Sequence, residues 1–285
     1  MIHRFLACAC CLLLFGGLQL RADRQLGASR QQPAGSVSDP LEEARVAVGP
    51  RAAEVRTLLL RGVVQMGRPG GIPARSLELE FLFPDSYMRV ENTGATIRHV
   101  GVTGNVPLYK FEKLDPAVNA ASTAGPRLLE EVRAEFARLA LGLLARTQTT
   151  FKLDVRATKE GETGSFLAVG PDGFSASIDL EPASRLPRQI RYLQNASSGV
   201  WAGLASGLAT APPPPPPTKT AKEIVLRFED RRVVDGISVP QHIMRMEAGR
   251  TLEDMRFDTI LVNPPMKVET FRALAIRGET PTIKK

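Results

Sequence analysis

Residues 222–271 read KEIVLRFEDRRVVDGISVPQHIMRMEAGRTLEDMRFDTILVNPPMKVETF. In residues 222–232, Ile224, Leu226 and Phe228 fall on one face, and Arg227 and Glu229 on the other. Asp235-Gly236 supplies the positive φ angles of a two-residue hairpin turn. Residues 237–247 run back, interrupted by Pro240, and Ala248-Gly249-Arg250 turns the chain again. Residues 252–262 then alternate, with Met255, Phe257, Thr259 and Leu261 inward and Asp254, Arg256 and Asp258 outward. A period of two with charge on one face describes three antiparallel strands of a sheet with a wet side and a dry side. What covers the dry side becomes the functional question.

Upstream, the pattern repeats. Residues 57–66 are apolar and partly β-branched. Residues 75–83 put Leu77, Leu79, Phe81 and Phe83 on one face and Glu78 and Glu80 on the other. Further strands are expected at 86–91, 95–100, 106–111, 150–156, 165–169 and 174–180, with an edge-like strand opening at Pro187. One helix is strongly marked, over 126–146. Leu128, Val132, Phe136, Leu139 and Leu143 step by three or four, and Glu130, Glu131, Arg133, Glu135 and Arg138 take the other side. A shorter helix is signalled by Asp39-Pro40-Leu41-Glu42-Glu43. The fold class is therefore mainly β, of the α+β kind. A strongly curved antiparallel sheet or incomplete barrel is expected, with the long helix and the short N-terminal one as its lid.

The N-terminal segment differs from the rest. Arg4 precedes an uncharged apolar run of about 16 residues, 5–20, which suits a signal peptide over residues 1–22 better than a bilayer span. Cys8, Cys10 and Cys11 all lie inside it, so the exported chain has no thiol, disulfide or cysteine metal site. Those cysteines begin the apolar run instead of ending it, which argues against lipid anchoring. The net charge of +7 falls by two, to +5, when Arg4 and Arg21 leave. With no basic block and no aromatic–basic interleaving, nucleic acid is not an expected partner, and charge allows peripheral membrane contact. Residues 23–38 read as a polar leader, 39–275 as one domain, and 276–285 as a tail. Within that domain, 196–221 is an Ala/Gly/Ser/Pro-rich insertion whose six prolines, 212–217, would form a rod of roughly 19 Å.

Catalytic groups do not assemble from the sequence. His99 and His242 each sit in a strand without Asp, Glu or His at ligand spacing. The Gly-rich stretch at 67–71 lacks the Lys-Ser/Thr ending of a phosphate loop. The carboxylate pairs Glu78/Glu80 and Asp254/Asp258 read as solvated alternation. A non-enzyme without cofactor or metal is expected. A sheet of about ten strands has more dry surface than one helix covers, so it must close, bind another chain or hold an apolar ligand.

The C-terminal stretch resembles the LolA-like outer-membrane lipoprotein-sorting family. The residues that carry this are Arg232-Val-Val-Asp235-Gly236-Ile-Ser-Val-Pro240, Phe257, Asn263-Pro264-Pro265 and Phe271, with Leu186-Pro187-Arg188-Gln189-Ile190 and the hairpin over 57–84. The long single helix and the hexaproline insertion depart from the family pattern. The resemblance implies an incomplete barrel with a helical lid over an apolar cavity, a periplasmic location, and carriage of lipid or lipoprotein acyl chains toward the outer membrane. The lining implied is Leu77, Leu79, Phe81, Phe83, Ile224, Leu226, Phe228, Met255, Phe257 and Leu261, with Leu128, Val132, Phe136 and Leu139 as the lid. Burying acyl chain there gains about 0.8 kcal/mol per methylene. A monomer is expected, and the alternative is a non-enzymatic envelope sensor or interaction module of the same fold, with a filled core and envelope proteins as partners.

Overall fold

A computed structural model of the chain describes residues 41–67, 73–115, 127–158, 164–194 and 221–275. The expected signal peptide, leader, insertion 196–220 and tail 276–285 lie outside the described residues, as do Asp39-Pro40 and Gly125-Pro126.

Alternating apolar and charged residues form twelve strands: β1 (Thr57–Met66), β2 (Arg75–Leu82), β3 (Ser86–Asn92), β4 (Thr96–Thr103), β5 (Val106–Lys113), β6 (Asp154–Ala157), β7 (Ser165–Val169), β8 (Ser175–Leu180), β9 (Pro187–Gln194), β10 (Lys222–Val234), β11 (Ile237–Glu247) and β12 (Arg250–Val262). They make one antiparallel sheet in the order β5-β4-β3-β2-β1-β12-β11-β10-β9-β8-β7-β6. The order is linear, so the sheet is open, with β5 and β6 as its edges. Pro187 therefore opens an interior strand, not the expected edge.

Among the described residues, three α-helices accompany the sheet: α1 (Glu42–Val48), α2 (Leu128–Leu144) and α3 (Val268–Arg272). Both hairpin turns of the C-terminal meander have the expected backbone. Asp235 and Gly236 lie at φ of 50° and 79°, and Ala248 and Gly249 at 48° and 79°. Pro240 does not interrupt β11. Pairing with β12 begins only at His242↔Arg256, so Pro240 lies beyond that ladder. The strand expected from residue 150 begins only at Asp154. The Asp85 carboxylate accepts hydrogen bonds from the N–H and hydroxyl groups of Thr149 and Thr150, and Phe151 turns into the core.

Two further features set the faces of the sheet. At β1–β12 the register shifts between Arg61 and Gly62, which pair with Thr259 and Phe257. Asp258 is the extra residue of a β-bulge. Gly62 makes this approach possible, since a Cβ there would lie 1.8 Å from the Arg256 carbonyl oxygen. On the convex side, α3 seats Phe271 against Met88 and Leu108, forming a small second core. No periodicity announced α3, because at five residues it is too short to show one. Asn263 ties β12 to β1, its Oδ1 accepting the N–H of Arg56 at 2.7 Å.

Candidate functional site

The dry face is built as the alternation requires. Leu77, Leu79 and Phe81 of β2, Ile224, Leu226 and Phe228 of β10, and Met255 and Phe257 of β12 join one core with Leu128, Val132, Phe136 and Leu139 of α2. Phe83, just past β2, completes it. Their exposures run from 0% to 8%, so α2 fills the concavity here instead of roofing an open apolar space. Phe81, Phe83, Tyr87 and Phe136 form an aromatic cluster with centroids 5.1 to 6.0 Å apart. At its other end α2 comes so close to β10 that a Cβ on Gly142 would lie 1.9 Å from the Phe228 ring.

Leu261 is a correction. Expected inward, it is 42% exposed, and Ile260 takes the core position. The bulge at Asp258 adds one residue and moves the alternation by one place. The sequence carries no turn residue to mark that insertion.

Charge also enters the dry face, although the alternation reads charge on the wet face alone. Glu253 stands two positions before Met255, and Arg89 and Glu91 stand two and four after Tyr87. All are inward and buried. Arg89 reaches Glu91 at 2.7 Å on its own strand and Glu253 at 3.3 Å. Since β3 and β12 are separated by β2 and β1, that second contact crosses the concavity and measures its curvature. Arg75 and Arg98 also face Glu91, at 3.2 and 3.1 Å. From Glu253 the chain of charges continues to Arg245 at 3.3 Å, and Arg245 holds both carboxylate oxygens of Glu135 on α2 at 2.5 and 2.6 Å. Burial opposes the ionised form of Glu91. Arg89, Arg98 and Arg75 outweigh it and hold the carboxyl down to about 2. The Glu135–Arg245 pair is the charged clasp between helix and sheet.

At its C-terminal end α2 is fastened differently. Ala145 adopts the left-handed conformation that ends it, and the Arg231 guanidinium donates to the Gly142 and Pro187 carbonyls at 3.1 and 2.6 Å. The Asp85–Thr149–Thr150 bonds follow within a few residues.

Beside the N-terminal half of α2 lies a cavity of about 180 Å³. Arg127, Glu131, Glu135 and Arg138 line it from the helix, with Phe151, Phe174, Tyr192 and Arg245 across from them. None of the residues expected to hold an acyl chain borders it.

The histidines lie elsewhere. His242 Nε2 is 2.9 Å from Asp254, and its Nδ1 lies 3.6 and 3.7 Å from Glu229 and Asp230. Strand pairing brings these carboxylates together, which residue spacing did not show. Among the described residues no group of three His, Cys, Asp or Glu could hold a metal, and no helix is long and apolar enough to cross a membrane.

No protein-family model matches the chain, and no curated protein does. Among solved structures, it is similar to a putative outer membrane lipoprotein-sorting protein domain from Vibrio parahaemolyticus, at 8% identity, covering 82% of this chain and 96% of that one, with a TM-score of 0.47. It is also similar to a LolA superfamily protein from Nitrosomonas europaea, at 9% identity, covering 81% and 95%, with a TM-score of 0.47. A DUF1329 family protein from Desulfovibrio piger is similar at 9% identity, covering 83% and 100%, with a TM-score of 0.43.

Proposed function

We propose that this chain is a non-enzymatic carrier for an apolar chain, a lipid or lipoprotein acyl group, working in the periplasm. The arrangement described above is its closed state. The acyl chain takes the place of the α2 side chains against Leu79, Phe81, Leu226, Phe228, Met255 and Phe257. The observation that carries the reading is that a single helix supplies most of the apolar cover over the sheet's concave face. To the apolar packing of its N-terminal half the ion pair Glu135–Arg245 is added, beside a cavity. Its C-terminal end is fastened by Arg231 and by the Asp85 contacts that follow, so loading swings the helix about that end. The apolar run at residues 5–20 supports export.

Gentle purification without detergent, followed by solvent extraction and mass spectrometry, should recover acyl lipid with the protein. A fluorescent fatty-acid probe should bind the stripped protein, and more tightly when Glu135→Leu releases the N-terminal half of the helix from Arg245. Absence of both co-purified lipid and probe binding, in wild type and variant alike, would end this reading.

A further inference from the structure

Three residues that line the cavity beside α2 carry a buried donor atom without a hydrogen-bond acceptor: Arg138, Tyr192 and Arg245. Arg138 Nε and Tyr192 Oη are both buried and without a hydrogen-bond partner, and both residues line the cavity. Tyr192 is only 4% exposed. The Arg138 guanidinium lies 3.7 Å from the Tyr192 ring centroid and 5.5 Å from that of Phe174. Among the described residues, no hydrogen bond or ion pair reaches it. Its neighbours differ in having ion-pair partners, Glu135 and Glu253 for Arg245 and Asp172 at 3.7 Å for Arg133, although the Nε of each also lacks a hydrogen-bond acceptor. Burying a guanidinium N–H and a hydroxyl with no acceptor is costly, and native structures normally supply a partner. Burial pulls the Arg138 pKa down and pushes the Tyr192 pKa up, so each environment resists bare charge.

The geometry points to a site for a singly charged oxyanion with two acceptor oxygens. Such a group, a carboxylate or a phosphodiester, takes N–H from Arg138 with one oxygen and O–H from Tyr192 with the other. The lining favours the lower charge, because repulsion grows with the charge of the ligand. Glu130, Glu131, Glu135 and Asp172 already outnumber Arg127, Arg138 and Arg245, so a dianion meets repulsion. The volume of about 180 Å³ has ample room for the charged group, since one water needs roughly 10–15 Å³ of such space. The site stands whether or not an apolar tail lies beneath α2. If it does, the oxyanion is the head group of the proposed cargo, and that link alone rests on the carrier reading.

The test is calorimetric titration with decanoate, decanol, acetate and dimethyl phosphate on wild type, Tyr192→Phe and Arg138→Gln. Decanoate affinity should fall roughly ten- to hundredfold in each variant, as loss of a hydrogen bond to a charged group implies. Unliganded Tyr192→Phe should keep the wild-type melting temperature, since its hydroxyl leaves no partner behind. It remains informative if Arg138→Gln fails to fold. Acetate or dimethyl phosphate binding as tightly as decanoate, with the same sensitivity to both variants, supports the anion site and removes the tail. Decanol matching decanoate, with neither variant affecting either, overturns the anion site and leaves the carrier reading intact. No binding by any probe overturns both. A destabilised Tyr192→Phe with unchanged decanoate affinity means the hydroxyl serves only a buried water, and the site is rejected.

Discussion

Replacing Glu135 by Leu should test the charged clasp most directly. Glu135 is 1% exposed and grips Arg245 through both oxygens, leaving that guanidinium a second partner, Glu253, at 3.3 Å. The connected network holds Arg75, Arg89, Arg98 and Arg245 against Glu91, Glu253 and Glu135, an excess of one positive charge. Removing Glu135 alone doubles that excess inside a dry core. Breaking one partner of a buried pair costs about 3–5 kcal/mol, and because Glu253 still faces Arg245 the low end, about 3 kcal/mol, is expected. Glu135→Leu/Arg245→Met restores the original excess and swaps the pair for apolar volume, so it should recover most of that loss. Urea unfolding of the wild type, both single variants and the double variant gives the coupling energy. A total stability of about 5–15 kcal/mol leaves 3 kcal/mol well resolved. If the double variant is as unstable as the sum of the singles, or Glu135→Leu costs under about 1 kcal/mol, the clasp is not what holds the helix.

Other outcomes follow from the same structure. Glu91 has a depressed pKa, so its stabilisation is present above the ordinary value of 4.5 and lost as pH falls toward about 2. Acid unfolding of Glu91→Gln should therefore lack a loss of about 3 kcal/mol that the wild type shows in that window. Glu80 behaves oppositely. Burial, and then the hydrogen bond that protonated Glu80 donates to Glu78, raise its pKa from 4.5 to about 7, so the wild type loses stability as pH rises through that interval. Glu80→Gln should be the more stable protein at pH 8 and not at pH 4, by about 1–2 kcal/mol once partial exposure is allowed for. Gly62→Ala sets a methyl group against the Arg256 carbonyl, backbone against backbone. Its thermal unfolding should show a loss of about 3 kcal/mol or more, whereas Gly94→Ala, with open space around it but a positive φ, should lose about 1 kcal/mol.

The sequence by itself determined the sheet. Period-two alternation placed Leu77, Leu79 and Phe81, Ile224, Leu226 and Phe228, and Met255 and Phe257 on one face. Asp235-Gly236 and Ala248-Gly249 took the turns their backbone freedom suggests. These are local properties: a side chain's face depends on its immediate neighbours, and a two-residue turn on its own φ angles. The helix α2 was legible for the same reason. What only the tertiary structure decided depends on residues distant in the chain. One extra residue at Asp258 turned Leu261 out and Ile260 in, through pairing with β1 almost two hundred positions earlier. Glu253, Arg245 and Arg89 occupy inward positions that alternation could mark. Only the curvature of the sheet brings them together with Glu135 into one network, where opposite charges offset their burial. Arg138 and Tyr192 share a cavity because α2 packs beside β9, and no spacing in the sequence records that. The dry face read from residues 222–271 is real, and here α2 fills it.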